Sequence, residues 1–145
     1  MLPRWHIIYG LLFVLLLGVL APSISWTYLA IVLFAAVMID LDHYLCFFWK
    51  TGKFSLSHAF EYHRLQGKAH LAAEKKGKKP RSDFHFFHTL ECHLLIGGIG
   101  LVWIPAFYLF IGMVFHSLLD LFALTRTNTL HRREFFFFRW LQRRF

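Results

Sequence analysis

Long apolar runs, separated by proline and by basic segments, are the feature that most restricts the fold of this sequence of 145 residues. A run of about 20 apolar residues can cross the hydrocarbon core of a bilayer. Hydrophobic residues make up 57% of the chain, above the roughly 45–50% that is usual in soluble domains. This pattern excludes a disordered chain and an ordinary soluble domain, and it predicts an all-α, polytopic membrane protein.

We predict a single membrane domain with about four transmembrane helices, at residues 7–21, 26–45, 86–104 and 106–124. Pro105 divides the last apolar stretch, because one helix over residues 93–124 would be about 48 Å long against a core of about 30 Å. The third span is short enough to be partly re-entrant. The first run also resembles a signal peptide, but Pro22 makes a poor cleavage site, which favours a retained helix.

The basic residues predict which side of the membrane each segment faces. Lys and Arg number 16 against 8 Asp and Glu, and nearly all of them lie in the loop 50–83 or the tail 126–145. With four spans, this loop and both termini fall on one side, which the positive-inside rule identifies as cytoplasmic. The tail mixes Phe with Arg, as in a helix that lies at the membrane interface. Packing of the tail on its own protein is the alternative.

Three clusters of ionisable residues lie at the ends of predicted spans, where such groups are costly and usually functional. They occupy residues 40–43, 83–93 and 116–120. The predicted topology brings all three clusters to the cytoplasmic face at similar depth. Because Lys and Arg alone determined that topology, the convergence of the clusters is an independent indication of a site.

The residue types and spacings in these clusters favour a metal site. His116 and Asp120 are four residues apart and share a helix face, while neighbouring carboxylates repel each other unless a cation neutralises them. We predict one or two divalent ions, Zn²⁺ or else Mn²⁺ or Fe²⁺. The candidate ligands are Asp40, Asp42, His43, His85, His88, Glu91, His116 and Asp120.

Other roles for these polar residues stay open at this point. Asp40 and Asp42 can instead form ion pairs with Lys50 or Arg126. His93 faces away from His88 on an ideal helix, which indicates a structural role. His6 and His131 are expected to be interfacial.

At the residues of the three clusters, the chain resembles the membrane-bound metal-dependent hydrolases, the YdjM-like inner-membrane proteins, which are distantly similar to zinc-dependent phospholipases C. The resemblance rests on an Asp-x-Asp-His element at 40–43, a His-Thr pair at 88–89 and a Gly-x-x-x-His-x-x-x-Asp element at 112–120. The family's His-Arg-Gly element before the third helix is absent, and His85 or Asp83 replaces it as a candidate ligand. The resemblance implies a hydrolase in the inner membrane.

The expected function is metal-dependent hydrolysis at the cytoplasmic face, with Glu91 or His43 as general base. Membrane lipids are the expected partners, and the basic loop and tail favour an anionic lipid or a phosphoester as substrate. A metal-ion transporter needs polar groups through the whole bilayer, which the apolar outer halves of the spans lack. A structural or partner-binding protein with a closed metal site remains an alternative.

Nucleic-acid binding by the lysine-rich loop is not expected. Lys75, Lys76, Lys78 and Lys79 have no aromatic residues between them on which bases would stack. The oligomeric state is left open by the sequence.

Overall fold

The computed structural model describes residues 3–145, and this part of the chain is helical with no β-strand. The prediction of an all-α fold is therefore confirmed. Short 3₁₀ turns at Phe86–His88 and Leu130–Arg132 separate some of the helices. The α-helices are α1 (Pro3–Leu20), α2 (Trp26–Met38), α3 (Leu41–Thr51), α4 (Leu56–Glu74), α5 (Leu90–Gly100), α6 (Ile104–Arg126) and α7 (Phe137–Gln142).

The long helix α6 lies at the centre of the fold, against α2 and α5, while α1 packs mainly against α2. A glycine allows α6 to approach α2 closely. A Cβ atom at Gly112 would lie 2.7 Å from the Cβ of Ala35 and would overlap the carbonyl oxygen of Val32. Small residues at such contacts let helix backbones pack closely within membranes, where there is little hydrophobic drive for association.

The predicted span 26–45 is divided in two, because α2 ends at Met38 and α3 begins at Leu41. Asp40 occupies the N-cap position of α3, with φ −69° and ψ −5°, but its side chain makes no capping hydrogen bond. The carboxylate is therefore available to other partners. Gly52, with φ +67°, ends α3 in the left-handed conformation that favours glycine.

Two segments are long and apolar enough to cross a membrane: Trp26–Thr51, which comprises α2 and α3, and Ile104–Arg126. The apolar part of α1, Arg4–Leu20, is shorter, as is α5. At 11 residues, α5 is about 16 Å long, roughly half of a hydrocarbon core. The prediction of four full spans is thus not confirmed, and the third predicted span, 86–104, is reduced by the cap at Thr89 and a turn after Gly100.

The predicted loop 50–83 contains the long helix α4, and the tail folds back against the residues that precede α5. The backbone N–H of Ser82 donates to the carbonyl of Arg132 (2.7 Å) and that of Leu90 to Phe135 (2.9 Å). The Trp140 ring stacks on Phe84 at 4.1 Å between centroids. The tail therefore packs on its own protein, and the location of its short helix at the membrane interface stays a prediction.

We expect Gly112→Ala to lower the midpoint of thermal unfolding, because the added methyl group overlaps backbone atoms of α2. Such overpacking typically costs about 1–3 kcal/mol. Gly98→Ala is the matched control, since nothing lies within 4 Å of the position that its Cβ would take. The measurement is tryptophan fluorescence of detergent-solubilised protein during heating. Equal midpoints for the two variants would contradict the close contact between α6 and α2.

Candidate metal centre

Three separate parts of the chain bring four polar side chains together. Asp40 lies at the break between α2 and α3, His88 ends the first 3₁₀ turn, and His116 and Asp120 lie one turn apart on α6. One ligand atom from each of the four lies within 4.8 Å of the others. Such a group could hold a metal ion, so the structure contains a buried cluster of His and Asp of the kind that the sequence predicted.

The ring of His116 is oriented by the backbone of α2. Its Nδ1 atom lies 2.8 Å from the carbonyl oxygen of Ala36. A carbonyl oxygen only accepts hydrogen bonds, so Nδ1 carries the proton and donates. In the neutral ring, the Nε2 atom then has a free lone pair that faces the centre of the cluster.

The ring of His88 is oriented in the same way by a carboxylate. Its Nδ1 atom lies 3.0 Å from Oδ2 of Asp42, which also accepts the backbone N–H of Phe87 at 3.0 Å. Nδ1 therefore donates to Asp42, and Nε2 faces the cluster. A carboxylate behind a histidine is a common arrangement at metal sites, where it fixes the ring and raises the basicity of the ligand atom.

The two Nε2 atoms face each other at a distance of 3.3 Å. Two unprotonated imidazole nitrogens cannot form a hydrogen bond with each other, and their lone pairs repel. A cation between them removes this repulsion and neutralises the carboxylates of Asp40 and Asp120 as well. The donor set therefore fits a divalent metal.

The carboxylate oxygens complete the cluster around the two rings. Oδ1 of Asp40 lies 3.4 Å from Nε2 of His116 and 3.5 Å from Nε2 of His88. Oδ2 of Asp120 lies 3.5 Å and 3.8 Å from the same two nitrogens. The Asp40 side chain is 21% exposed, whereas those of His88, His116 and Asp120 are exposed by 9% or less. The cluster is thus open to its surroundings mainly at Asp40.

His43 and His85 lie beside the cluster and contact Asp42, and Nδ1 of His43 also lies 3.6 Å from Oδ1 of Asp40. Nδ1 of His43 is 3.0 Å from Oδ1 of Asp42, and Nδ1 of His85 is 3.6 Å from the same oxygen. Their rings stack in parallel, with centroids 3.7 Å apart. Burial and the adjacent His43 ring lower the pKa of His85 to about 3. Asp42, His43 and His88 form a second group that can hold a metal.

The structure places Glu91 outside the cluster. Its carboxylate accepts the backbone N–H groups of Phe137 (2.9 Å) and Phe138 (3.4 Å) at the start of α7. The expectation that Glu91 acts as a ligand or general base rested on helical spacing from His88. That spacing does not apply, because His88 belongs to a 3₁₀ turn and Thr89 is extended before α5 begins.

The alternative in which the aspartates pair with Lys50 is not observed, because Lys50 has another partner. Lys50 forms an ion pair with Asp83, which also accepts a hydrogen bond from the hydroxyl of Tyr62 at 2.9 Å. Burial raises the pKa of Asp83, but these two donors outweigh it and lower the pKa below its ordinary value. Asp83 is therefore engaged with Lys50 and Tyr62.

His93, on α5, is bonded to the start of its own helix and to α6, which agrees with the structural role that the sequence indicated. Its Nδ1 atom donates to the carbonyl of Thr89 at 2.8 Å, and its Nε2 atom lies 2.9 Å from Oγ of Ser117.

The sequence analysis missed His6, which it predicted to be interfacial. His6 lies on α1 and is only 1% exposed. Its ring stacks on that of His116, with centroids 4.0 Å apart, and its Nε2 atom lies 3.3 Å from Oδ1 of Asp120 and 3.9 Å from Oδ2 of Asp40. The signal that could have identified it is an ionisable residue at the start of an apolar helix, at the same predicted depth as the three clusters.

Arg133 is the second residue that the sequence analysis missed, because it was counted only as part of the basic tail. Its Nη2 atom lies 3.0 Å from Oδ2 of Asp120, and its side chain is 11% exposed. Arg133 also lines a polar cavity of about 370 Å³. The other polar residues that line this cavity include His43, His63, Asp83, His85 and Arg132. The cluster is thus adjacent, through Asp120, to a space large enough for several water molecules, whose walls carry histidine, arginine and aspartate side chains.

We expect His88→Ala and His116→Ala to reduce bound metal, because each variant removes one of the two facing nitrogens. Loss of at least about tenfold in metal affinity is expected for a ligand. Glu91→Gln is the matched control, because Glu91 contacts the start of α7 rather than the cluster. Elemental analysis of purified protein gives the metal content. Metal content that is equal in all variants and wild type would remove His88 and His116 from the site.

We expect His6→Ala to weaken metal binding by about 10–100-fold, as is usual when an outer residue that positions a ligand is removed. The physical reason is that His6 packs on His116 and contacts the far oxygen of Asp120. His58→Ala serves as control, since His58 is exposed on α4. Titration with a competing chelator measures the affinity. An affinity unchanged from wild type would show that His6 only fills space.

Comparison with known proteins gives no relative from which to transfer a function. No protein-family model, curated protein or solved structure matches this chain. The resemblance to the membrane-bound metal-dependent hydrolases therefore rests on the quoted motif residues alone. What the chain does has to be inferred from the geometry of the cluster and its surroundings.

Proposed function

We propose that this protein is a membrane-embedded, metal-dependent hydrolase that acts on an anionic lipid or a phosphoester at the cytoplasmic face. The observation that carries the proposal is the pair of facing Nε2 atoms of His88 and His116, 3.3 Å apart. Each is held by a hydrogen bond on the opposite side of its ring. This arrangement is pre-formed for a cation, and hydrolysis by a metal-activated water is the chemistry that such sites commonly perform.

The distribution of apolar side chains supports the membrane location. Large apolar residues are exposed on the outer faces of α1, α2, α5 and α6, such as Leu15, Phe34, Leu94 and Phe122. Soluble proteins rarely expose continuous apolar surface on this scale. We propose that α1 and α2 with α3 cross the inner membrane, and that α5 and α6 form a helical hairpin that enters the membrane from the cytoplasmic side and returns to it. Both termini are then cytoplasmic, as the positive-inside rule indicates.

The separations between ligand atoms favour zinc. Tetrahedral zinc with metal–nitrogen bonds of about 2.0–2.1 Å places neighbouring ligand atoms about 3.3 Å apart. The separations given above for His88, His116, Asp40 and Asp120 range from 3.3 to 3.8 Å. Mn²⁺ and Fe²⁺ prefer more ligands. We propose one ion, because the second group shares His88, whose Nδ1 atom is already used by Asp42.

In the proposed reaction, a water molecule attacks phosphorus, the bond from phosphorus to the leaving alcohol oxygen breaks, and the products are a phosphomonoester and an alcohol. The metal, when bound, supplies a Lewis acid that lowers the pKa of water at the site. His43 lines the polar cavity and its Nδ1 atom is 3.0 Å from Asp42. It is positioned to take the proton from water and return it to the leaving oxygen. Arg133 is positioned to neutralise the phosphate.

A second candidate function is a structural metal site without catalysis. The observation that favours it is the presence of four protein ligand atoms, since closed four-ligand sites are typical of structural zinc. The partial exposure of Asp40 favours the enzyme, because displacement of one carboxylate opens a coordination position for water. A transporter is disfavoured, since α6 carries no charged side chain and no histidine from Ile104 to Phe115, and a path through the bilayer needs polar groups along its whole depth.

The activity test uses protein loaded with Zn²⁺ and two substrates, phosphatidylglycerol in mixed micelles and the soluble diester bis(p-nitrophenyl) phosphate. We expect turnover in wild type that a chelator abolishes, and at least about a 100-fold loss in His88→Ala and His116→Ala, because both facing nitrogens are needed to hold the ion. The exposed His58→Ala variant is the control. Stoichiometric metal without turnover of either substrate would contradict the hydrolase and favour the structural site.

A further inference from the structure

An apolar groove runs along the surface between α5 and α6 and ends at the metal centre. It has a volume of about 560 Å³. Its walls include Leu94 from α5, and Val114 and Leu118 from α6, and its polar end is formed by His88 and Arg133. One end of the groove therefore touches a proposed metal ligand. The rest is lined mainly by apolar side chains, together with His93 and Ser117, which bond to each other.

The length of the groove matches one leaflet of a membrane. Its lining along α6 extends from Phe110 to Leu121, which corresponds to about 16 Å of helix. The hydrocarbon core of a bilayer is about 30 Å thick, so the groove is about as long as one leaflet is deep. A groove of these dimensions, open along a membrane-embedded helix pair, accommodates a single extended lipid tail.

The positive charge of Arg133 at the polar end indicates that a molecule bound in the groove carries an anionic headgroup. Arg133 lines both the apolar groove and the polar cavity of about 370 Å³, and Arg132 also lines that cavity. A guanidinium group has five N–H donors, and the contact with Asp120 engages Nη2. The remaining donors of Arg133 suit a phosphate oxygen. A molecule with an apolar tail and a phosphate head is complementary to both spaces at once.

We propose that this groove binds one acyl chain of an anionic phospholipid and so presents its phosphate to Arg133 and the metal centre. The inference rests on the proposed hydrolase function and identifies its substrate class as a lipid of the surrounding leaflet. The groove thereby acts as a specificity-determining surface, which selects substrates by the presence of a long tail.

A second apolar groove provides an internal comparison. It has a volume of about 260 Å³ and lies on the other side of α5 and α6, with Phe34, Met38 and Leu109 among its walls. Within the described part of the chain, its lining contains no charged side chain. This groove offers nothing to bind a phosphate, so an anionic lipid gains no preference over a neutral one there.

The first test measures binding without catalysis. The probes are phosphatidylglycerol and phosphatidylcholine, each with a photoreactive diazirine in one acyl chain, in vesicles of phosphatidylcholine. We expect the phosphatidylglycerol probe to label the peptide around Val114 and Leu118 at least about fivefold more than the phosphatidylcholine probe. Leu118→Trp, or Leu94→Trp from the facing helix if the first variant does not fold, is expected to abolish this preference. Met38→Trp in the other groove is the control and is expected to retain it.

Equal labelling of the groove by the two probes would overturn the proposal, because it would mean that the groove merely contacts bulk lipid. So would a preference that survives both Leu118→Trp and Leu94→Trp in folded protein.

The second test uses the ratio of two turnover rates. We expect Leu118→Trp to lower the ratio of phosphatidylglycerol hydrolysis to hydrolysis of the soluble diester by at least about tenfold, while Met38→Trp keeps the wild-type ratio. An unchanged ratio in Leu118→Trp would overturn the proposal and leave the hydrolase intact. Absence of turnover by wild type with either substrate would instead count against the hydrolase, and the labelling test would still decide whether the groove selects anionic lipid.

Discussion

The packing of α6 against α2 places the Nδ1 atom of His116 2.8 Å from the carbonyl oxygen of Ala36. The approach that makes this hydrogen bond possible occurs one turn earlier on α6, where Gly112 contacts α2 without a side chain. The bond fixes both the orientation and the tautomer of the imidazole, so that its Nε2 atom presents a lone pair to the interior. The rest of the cluster is arranged around that atom. A backbone contact between two apolar helices thereby determines the chemistry of a polar site.

Irregular backbone supplies the groups that face His116. Asp40 lies at the break between α2 and α3, and His88 ends a 3₁₀ turn before Thr89 caps α5. The buried His6 of α1 lies beside the first of these breaks, with its ring stacked on that of His116 and its Nε2 atom 3.9 Å from Oδ2 of Asp40. The breaks in the helices therefore form part of the candidate metal centre, because they bring the carboxylate of Asp40 and the imidazole of His88 next to α6.

The sequence predicted those parts of the site that depend on regular local structure. His116 and Asp120 share a face of α6, as four-residue spacing requires. Residues 40 and 88 do lie beside them, as predicted, although the four-span topology from which this was argued is not confirmed. Helical spacing failed for Glu91, because the chain between it and His88 is not α-helical. His6 and Arg133 were missed for a different reason. His6 reaches the cluster through the packing of α1 beside α6, on which His116 lies, and Arg133 reaches it because the chain turns back after α6, 13 residues beyond Asp120. No local pattern reports either contact.

The position of Arg133 beside Asp120 follows from contacts that lie well outside the cluster. Its neighbour Arg132 forms two hydrogen bonds with Glu74 at the end of α4, at 2.7 and 2.6 Å, and Glu134 pairs with Arg81 at 2.6 Å. Exposed ion pairs contribute little to stability one at a time. Three consecutive residues held in this way, however, restrict the backbone that carries Arg133. The basic loop and tail thus do more than indicate the topology. They hold the guanidinium group of Arg133 at the candidate metal centre, where it lines both the apolar groove and the polar cavity.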